Sequence, residues 1–320
     1  MILVGGENLM DLVSSPEGDG ATFRAVPGGA PFNWALALGR LGVEVGYLTP
    51  LSTDAFGAGL TARLAGAGVR LLAPPVPAPT SLAVATVTDG VAAYSFYREN
   101  TAERQVTADL LADITPARAE GVVLGSLAIV EGRDADIWAD YYCAMQARGV
   151  FCALDPNIRP GFIRDETAYR GRLDRLLRHS DLVKLSDEDL AWLFPDLPLE
   201  EAARALAGQS RAGLVVVTRG AEGALALCGD MVVETAAQPV ADLVDTIGAG
   251  DTFMAVLVAG LAGRAGGCAG LQRPEIFALL ARAGLAAALN CAHAGCRPPT
   301  RTELARAMEI HGGGIGAAGG

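Results

Sequence analysis

Lysine is almost missing from this sequence: among 25 basic side chains only Lys184 is a lysine, and the rest are arginines. That one position settles a question at once. A phosphate-binding loop of the form G-x-x-x-x-G-K-[ST] needs a lysine behind its last glycine, and Lys184 lies in "VKLSD", so P-loop machinery is excluded. Positive charge is also in deficit overall. A net charge of -11 argues against a nucleic-acid surface and fits a protein that handles small molecules. Long hydrophobic runs are lacking too, and the longest, from Phe253 to Gly263, is too short to span a bilayer. "MILVGGENLM" carries neither a basic n-region nor a small-residue cleavage site, so no secretory signal and no membrane partner are expected, and a cytoplasmic location is. No disulfide framework is visible: Cys143, Cys152, Cys228, Cys268, Cys291 and Cys296 are scattered, as reduced thiols are. "CAHAGC" (291–296) looks metal-like, but no paired Cys or His motif supplies a fourth zinc ligand, so it reads as buried thiols near a helix end. Aromatics are sparse at 6%, while alanine and glycine abound, a bias that reads as genomic composition rather than chemistry.

What the sequence does hold is an alternation. The apolar, β-branched runs "MILVGG", "VEVGYL", "GVVLGSLAIV", "GVFCALDP", "SDLVKLS" and "GLVVVTRG" are separated by helical patterns such as "NWALALGRL", "DIWADYYCAMQA", "YRGRLDRLLR" and "LEEAARALA". Strands alternating with helices predict βαβ units, hence an α/β fold with a mostly parallel sheet flanked by helices. Ligands bind such sheets beyond the C-terminal strand ends. At 320 residues and 51% hydrophobic, the chain fits one large domain or a domain with an insertion. Residues 11–26 and 80–98 break the rhythm. They alternate apolar and polar residues, with Asp89-Gly90 as a hairpin turn, and neither is followed at once by a helix. Together they predict a small antiparallel flap, entered through the rigid "APPVPAP" (73–79). The tail "GGGIGAAGG" is expected to be disordered.

Two glycine-rich stretches carry the chemistry. In "DTIGAGD" (245–251), Gly248 to Asp251 stand at the start of an apolar helix, where backbone amides lack partners and the dipole is positive. Small residues there let amides converge on an anion. Read alone, Asp251 is equally an N-cap. An aspartate inside an anion hole repels the anion unless it serves a purpose, and accepting a proton from an attacking hydroxyl is what phosphoryl transfer requires. "GGAPFNWALALGRLG" (28–42) begins with a tight Gly28-Gly29 turn and Pro31 in a first helical turn, with Asn33 near the loop. "GAGLTA" (57–62) imitates a dinucleotide fingerprint but follows no strand, so it reads as a small-residue helix.

These two stretches, in this order, resemble the paired signatures of the ribokinase-like, PfkB-type carbohydrate kinases, and the resemblance runs from "GENLMDLV" to "AGCRPPT". It implies a single ribokinase-like domain over residues 1–311, with a Rossmann-like sheet of about eight or nine strands. The β lid would be formed by residues 11–26 and 80–98, with 312–320 as the tail. It also implies ATP- and Mg²⁺-dependent phosphorylation of an alcohol, with Asp251 as base and Gly248, Ala249 and Gly250 as the anion hole. Asp11, Gly28, Gly29 and Asn33 match sugar contacts. "YSFYRENTAER" and "DPNIRP" resemble fructokinase members and some 2-keto-3-deoxygluconate kinases, which makes Arg98 and Arg159 candidates for sugar or phosphate oxygens; a surface role is the other reading of each. On the nucleotide side Ser186 and Asp189 stand where the family commonly has N-x-x-E, so Asp189 would meet Mg²⁺ through water. Thr218, Gly220 and Gly223 match phosphate and ribose contacts, Asn290 and Gly295 the adenine edge. Lys184 is either a phosphate contact or solvent-facing. Activation by a monovalent cation such as K⁺ and homodimer pairing through the lid are both open.

The reading is thus an ATP-dependent sugar kinase with fructose favoured. 2-Keto-3-deoxygluconate is the alternative substrate, and a non-catalytic sugar- or nucleotide-sensing relative the alternative class. An NAD-dependent oxidoreductase is disfavoured because no strand-anchored fingerprint is present.

Overall fold

The computed structural model describes residues 1–15, 22–88, 91–240, 242–264 and 267–312. Among these described residues thirteen strands fall into two sheets. In chain order, β1 (Ile2–Val4) opens the main sheet, and β2 (Leu9–Ser15) and β3 (Thr22–Gly28) leave it. Then β4 (Val45–Tyr47) and β5 (Arg70–Leu71) return, and β6 (Ser81–Thr88) and β7 (Val91–Tyr97) leave again. The main sheet is completed by β8 (Gly121–Gly125), β9 (Phe151–Asp155), β10 (Leu182–Ser186), β11 (Leu214–Thr218), β12 (Ala224–Cys228) and β13 (Met231–Thr235).

The main sheet has nine strands in the order β13-β12-β11-β10-β9-β8-β1-β4-β5. All pairs from β11 to β5 are parallel, while β12 and β13 run antiparallel at one edge. "GVVLG" and "FCALD" are buried at every residue, as strands covered by helices on both faces must be. One face packs Phe32, Trp34, Leu38, Met254, Val258 and Leu280, and the other Trp138, Tyr142, Tyr169, Leu176 and Leu206. Each such side chain contributes roughly 1.5–3 kcal/mol by leaving water. From β1 the chain winds outward through β4 and β5, then resumes on β1's other side with β8. The strand order therefore reverses at β1, and a crevice opens above that point.

The second sheet has the order β3-β2-β6-β7. Two antiparallel hairpins form it, but they join through a parallel pair, Leu9↔Ser81 to Val13↔Ala85, so the flap is mixed rather than purely antiparallel. The physical reason is that β2 and β6 both leave the main sheet from its same end. The exit from the flap also differs from expectation: β3 runs through Gly29 directly into the helix Ala30–Arg40, with no intervening loop. The Asp89-Gly90 turn and the glycine-rich tail from 313 onward lie outside the described residues. "APPVPAP" is pinned where Val76 bonds with Leu51 and Thr53.

Elsewhere the run after β8 turns into a 3-10 helix, Ser126–Ile129, instead of extending the strand, and "GAGLTA" lies in the helix Ala55–Gly66. All six cysteines are free. Among the described residues, no cluster of three or more His, Cys, Asp or Glu could hold a metal. Among the described residues one helix, Arg273–Cys291, is long and apolar enough to cross a membrane by length and composition alone. It packs on the helix Ala249–Leu261, with Ile276, Leu280, Ala283 and Ala286 buried.

Candidate active site

A cavity of about 550 Å³ lies at the C-terminal ends of β8 to β11, beside the second sheet. Its floor is the start of the helix Ala249–Leu261. Gly248 caps this helix in the left-handed region (φ 77°), and a Cβ there would fall 2.5 Å from Cys296 Sγ, so only glycine fits. The Ala249 amide donates to the Thr246 carbonyl (3.1 Å) and the Thr252 amide to that of Gly248 (2.8 Å). Among the described residues no acceptor meets the amides of Gly250 and Asp251. The Gly248 amide meets none either, so of the three residues expected to form an anion hole only Ala249 has its amide committed to the turn. Lys184 Nζ lies 3.2 Å from where a Gly250 Cβ would stand. An ammonium thus stands beside two unpaired amides at a helix start, donors of the kind an anion draws on.

Asp251 sits in the first helical turn without capping it. Its Oδ2 accepts a hydrogen bond from Asn33 Nδ2 at 2.8 Å. Burial pushes its carboxyl up to about 6, against the pull of Asn33 and Lys184. Lys184, on β10, does not face solvent. It is buried, and its Nζ donates to Asp155 Oδ2 at 2.8 Å. Burial opposes its charge, but Asp155, then Asp251 and Asp189, more than offset that and raise its pKa. Asp155, at the end of β9, also accepts from the Asn157 amide (3.2 Å). Asp189 accepts from the amides of Ile158 (2.9 Å) and Ser186 (3.4 Å), and Ser186 Oγ accepts in return from the Asp189 amide (3.0 Å). This capping box starts the helix Asp187–Leu193. Burial, reinforced by Asp155, brings the Asp189 carboxyl to about 6.

At the opposite end Asp11 projects from β2, and burial raises its carboxyl to about 6 while Arg159 opposes. Gly28 stands across the hairpin. A Cβ there would lie 2.0 Å from Asp11 Oδ2, so Gly28 makes room for the carboxylate and does not itself line the cavity. Gly29 (φ 100°) and Asn33 do line it, and Asn33 Oδ1 is buried without a partner. Arg159 is exposed on the cavity wall. It donates only to its neighbour's carbonyl, Ile158, and makes no ion pair among the described residues.

Other candidates are held elsewhere. Arg98 makes a bidentate pair with Glu103 (2.8 and 3.2 Å) and lines a neighbouring cavity instead. Asn290 is engaged through both ends of its amide, donating to the Ile247 carbonyl (2.7 Å) and accepting from the Arg297 amide (2.8 Å). The Gly295 amide donates to Asp245 Oδ2 (2.9 Å). Asn290, Gly295 and Asp245 thus brace the "DTIGAGD" loop from behind. Thr218 lines the cavity, its hydroxyl donating to the Leu185 carbonyl (3.3 Å). Gly220 (φ 51°) is open, whereas a Cβ on Gly223 would lie 1.9 Å from the Thr235 carbonyl, so packing of the β12–β13 edge fixes that turn. Sequence reasoning missed Glu7, Ser126, Asp155 and Asp245, although each lies within a stretch singled out above. The available signal was position: Asp155 and Ser126 stand where strands end.

Known proteins resemble this chain in sequence and in fold. Residues 1–303 match the model of the pfkB family carbohydrate kinases. A fructokinase of Rhizobium leguminosarum bv. trifolii is 36% identical over 266 residues, covering 82% of this chain and 79% of the relative. One from Escherichia coli is 30% identical over 310 residues, 95% and 97% of the two chains. The crystal structure of a fructokinase with bound ATP from Xylella fastidiosa superimposes with a TM-score of 0.84 at 26% identity, over 97% of this chain and 98% of that one.

Proposed function

This chain belongs to the pfkB family of carbohydrate kinases and is an ATP-dependent sugar kinase, and from that premise we propose that it phosphorylates a primary hydroxyl of fructose with Asp251 as general base. The observation that carries the reading is one cavity with two chemically distinct ends. Asp11, Asn33 and Arg159 offer hydrogen-bonding groups at one end, Lys184 with the Gly250 and Asp251 amides gathers positive potential at the other, and the Asp251 carboxylate lies between. Asp251 takes the hydroxyl proton as that oxygen attacks the γ-phosphorus, and ADP leaves. With its carboxyl near 6, Asp251 is ionised at neutral pH yet more basic than an ordinary aspartate. Asn33 holds the carboxylate in place, and Lys184 and the two amides meet the charge on the transferring group.

Mg²⁺ fits this site as an ion carried in with the nucleotide. Asp155 is taken by Lys184 and Asp189 by two backbone amides, so no ready cage exists among the described residues. The donors that remain suit contact through water. Such an ion would spread the phosphate charge; Asp189 is the side chain to orient its water shell. Fructose is preferred because the relatives at 36% and 30% identity are both fructokinases.

Steady-state kcat/KM on fructose, 2-keto-3-deoxygluconate, ribose and adenosine with Mg-ATP tests the reading, and fructose should lead. A tenfold advantage for the keto-acid would transfer the assignment to that substrate, with Arg159, unpaired on the wall, as its carboxylate partner. ATP binding without turnover of any sugar would point to a sensor.

A further inference from the structure

Glu7 is buried to 1% exposure at the wall of the catalytic cavity, and the chemistry above makes no use of it. Its place is tightly determined. The chain reaches it through Gly5, where a Cβ would lie 2.3 Å from the Trp138 ring, and Gly6, where one would lie 2.4 Å from Pro31. Glu7 Oε1 accepts from the Ala30 amide at 3.2 Å, which satisfies one orphan donor of the helix that carries Asn33. Oε2 accepts no hydrogen bond of regular geometry among the described residues, although the Ser126 hydroxyl stands near the carboxyl. A buried acceptor left unpaired is destabilising, so native proteins rarely keep one without a use.

Asn33, one turn along the same helix, also lines this cavity, and its Oδ1 is likewise buried and without a partner among the described residues. Two orphan oxygens on one wall form a pattern that a polyol satisfies with two hydroxyl donors. We propose that Glu7 is a further sugar-recognition residue, whose Oε2 bonds one hydroxyl of the substrate beside those met by Asn33 and Asp11. Its surroundings suit the task. Burial lifts the carboxyl to about 7, against the pull of Arg98 and the nearby Ser126 and with a smaller push from Glu103. Near neutrality the group can therefore donate to a hydroxyl or accept from one, whichever the sugar presents.

The inference rests on the sugar-kinase reading, and the test separates the two. Wild type, Glu7→Gln and Glu7→Ala are assayed on the best sugar of the panel and on its monodeoxy analogues, with ATP saturating. Wild type should lose roughly ten- to hundredfold in kcat/KM on the analogue lacking the hydroxyl that meets Glu7. In Glu7→Ala that one penalty should vanish while the penalties at other positions persist, and KM for ATP should stay unchanged. Glu7→Gln, which keeps the shape and the bond to Ala30, should melt near wild type with a partial penalty, and it carries the test if the alanine variant does not fold. Identical analogue ratios in all three proteins would overturn the proposal and leave Glu7 a helix-start brace. Should wild type phosphorylate no sugar, the substrate reading fails by itself, and calorimetric titration of the same sugars decides about Glu7. Weaker binding to Glu7→Gln supports its role; equal binding, or none to either protein, removes it.

Discussion

At the scale of single residues, the balance between charge and burial around Asp251 makes function and stability pull in opposite directions. A carboxyl that holds its proton to about 6 when folded, against 3.8 ordinarily, supports the fold fully below about 4, and that support is lost as pH rises through about 6. At pH 7.5 the folded protein therefore carries a buried charge it would be more stable without. Asp251→Asn should lower kcat by roughly 10²–10⁴ and melt at or above the wild-type temperature at that pH. Wild-type kcat should fall on acidification through about pH 6. Because Asp189 titrates in the same range beside Lys184, the measured limb belongs to the cluster. A variant with near-normal kcat would reduce Asp251 to a helix-start residue. Asp251 could be read in the sequence because an acid among small residues at a helix start is chemically odd. Asp155, Glu7 and Asp245 could not, since each looks ordinary until the fold shows what faces it.

Among the elements, the second sheet has the most to gain from ligands. Phe96 of β7 meets Phe162 of the turn after β9 edge to face, with ring centroids 4.3 Å apart, a contact between the flap and the main body. Sugar and ATP together should slow hydrogen exchange in β2, β3, β6 and β7, as expected of a cover that excludes water from a transferable phosphoryl group. Equal exchange with and without both ligands would contradict a lid. Within the flap, Gly28→Ala should raise KM for the sugar at least tenfold by displacing the Asp11 carboxylate, and leave KM for ATP nearly unchanged. The flap's existence was legible from two-residue periodicity, but its parallel β2–β6 seam was not. Alternation tells which face is buried, and says nothing of which neighbour a strand takes. The edge strands β12 and β13 escaped notice because "ALALC" and "MVVET" are short and carry no helix between them.

Across the whole molecule, the main sheet follows from the sequence because each buried strand is an unbroken apolar run followed by a helix. What sequence patterning leaves out is how the chain's two ends meet. Arg301 donates to the carbonyls of Leu41 (2.9 Å) and Gly42 (3.0 Å), Arg40 bonds the Pro298 carbonyl, and Arg63 bonds that of Cys296. The helix Arg301–Gly312 buries Leu304 on this seam. Deleting residues 301–320 should thus cost about 2 kcal/mol from Leu304 alone and lower the melting temperature. It should also reduce kcat, because the same seam seats Cys296 against Gly248. Unchanged kcat in the folded truncation would show that the anion hole stands without it.

The uninterrupted path from β3 through Gly29 into the helix bearing Asn33 has a bearing on fuel economy. Asn33 is the side chain that grips Asp251, so whatever moves the flap also tugs on the base. With no sugar to draw the flap down, the buried base stays clasped by Asn33, poorly set to turn a stray water into an attacker. The enzyme should therefore idle quietly, forming ADP far more slowly without sugar, when water is the only acceptor and inorganic phosphate the product, than with it, when the phosphoryl group goes to the sugar, and cutting the clasp with Asn33→Ala should narrow that gap.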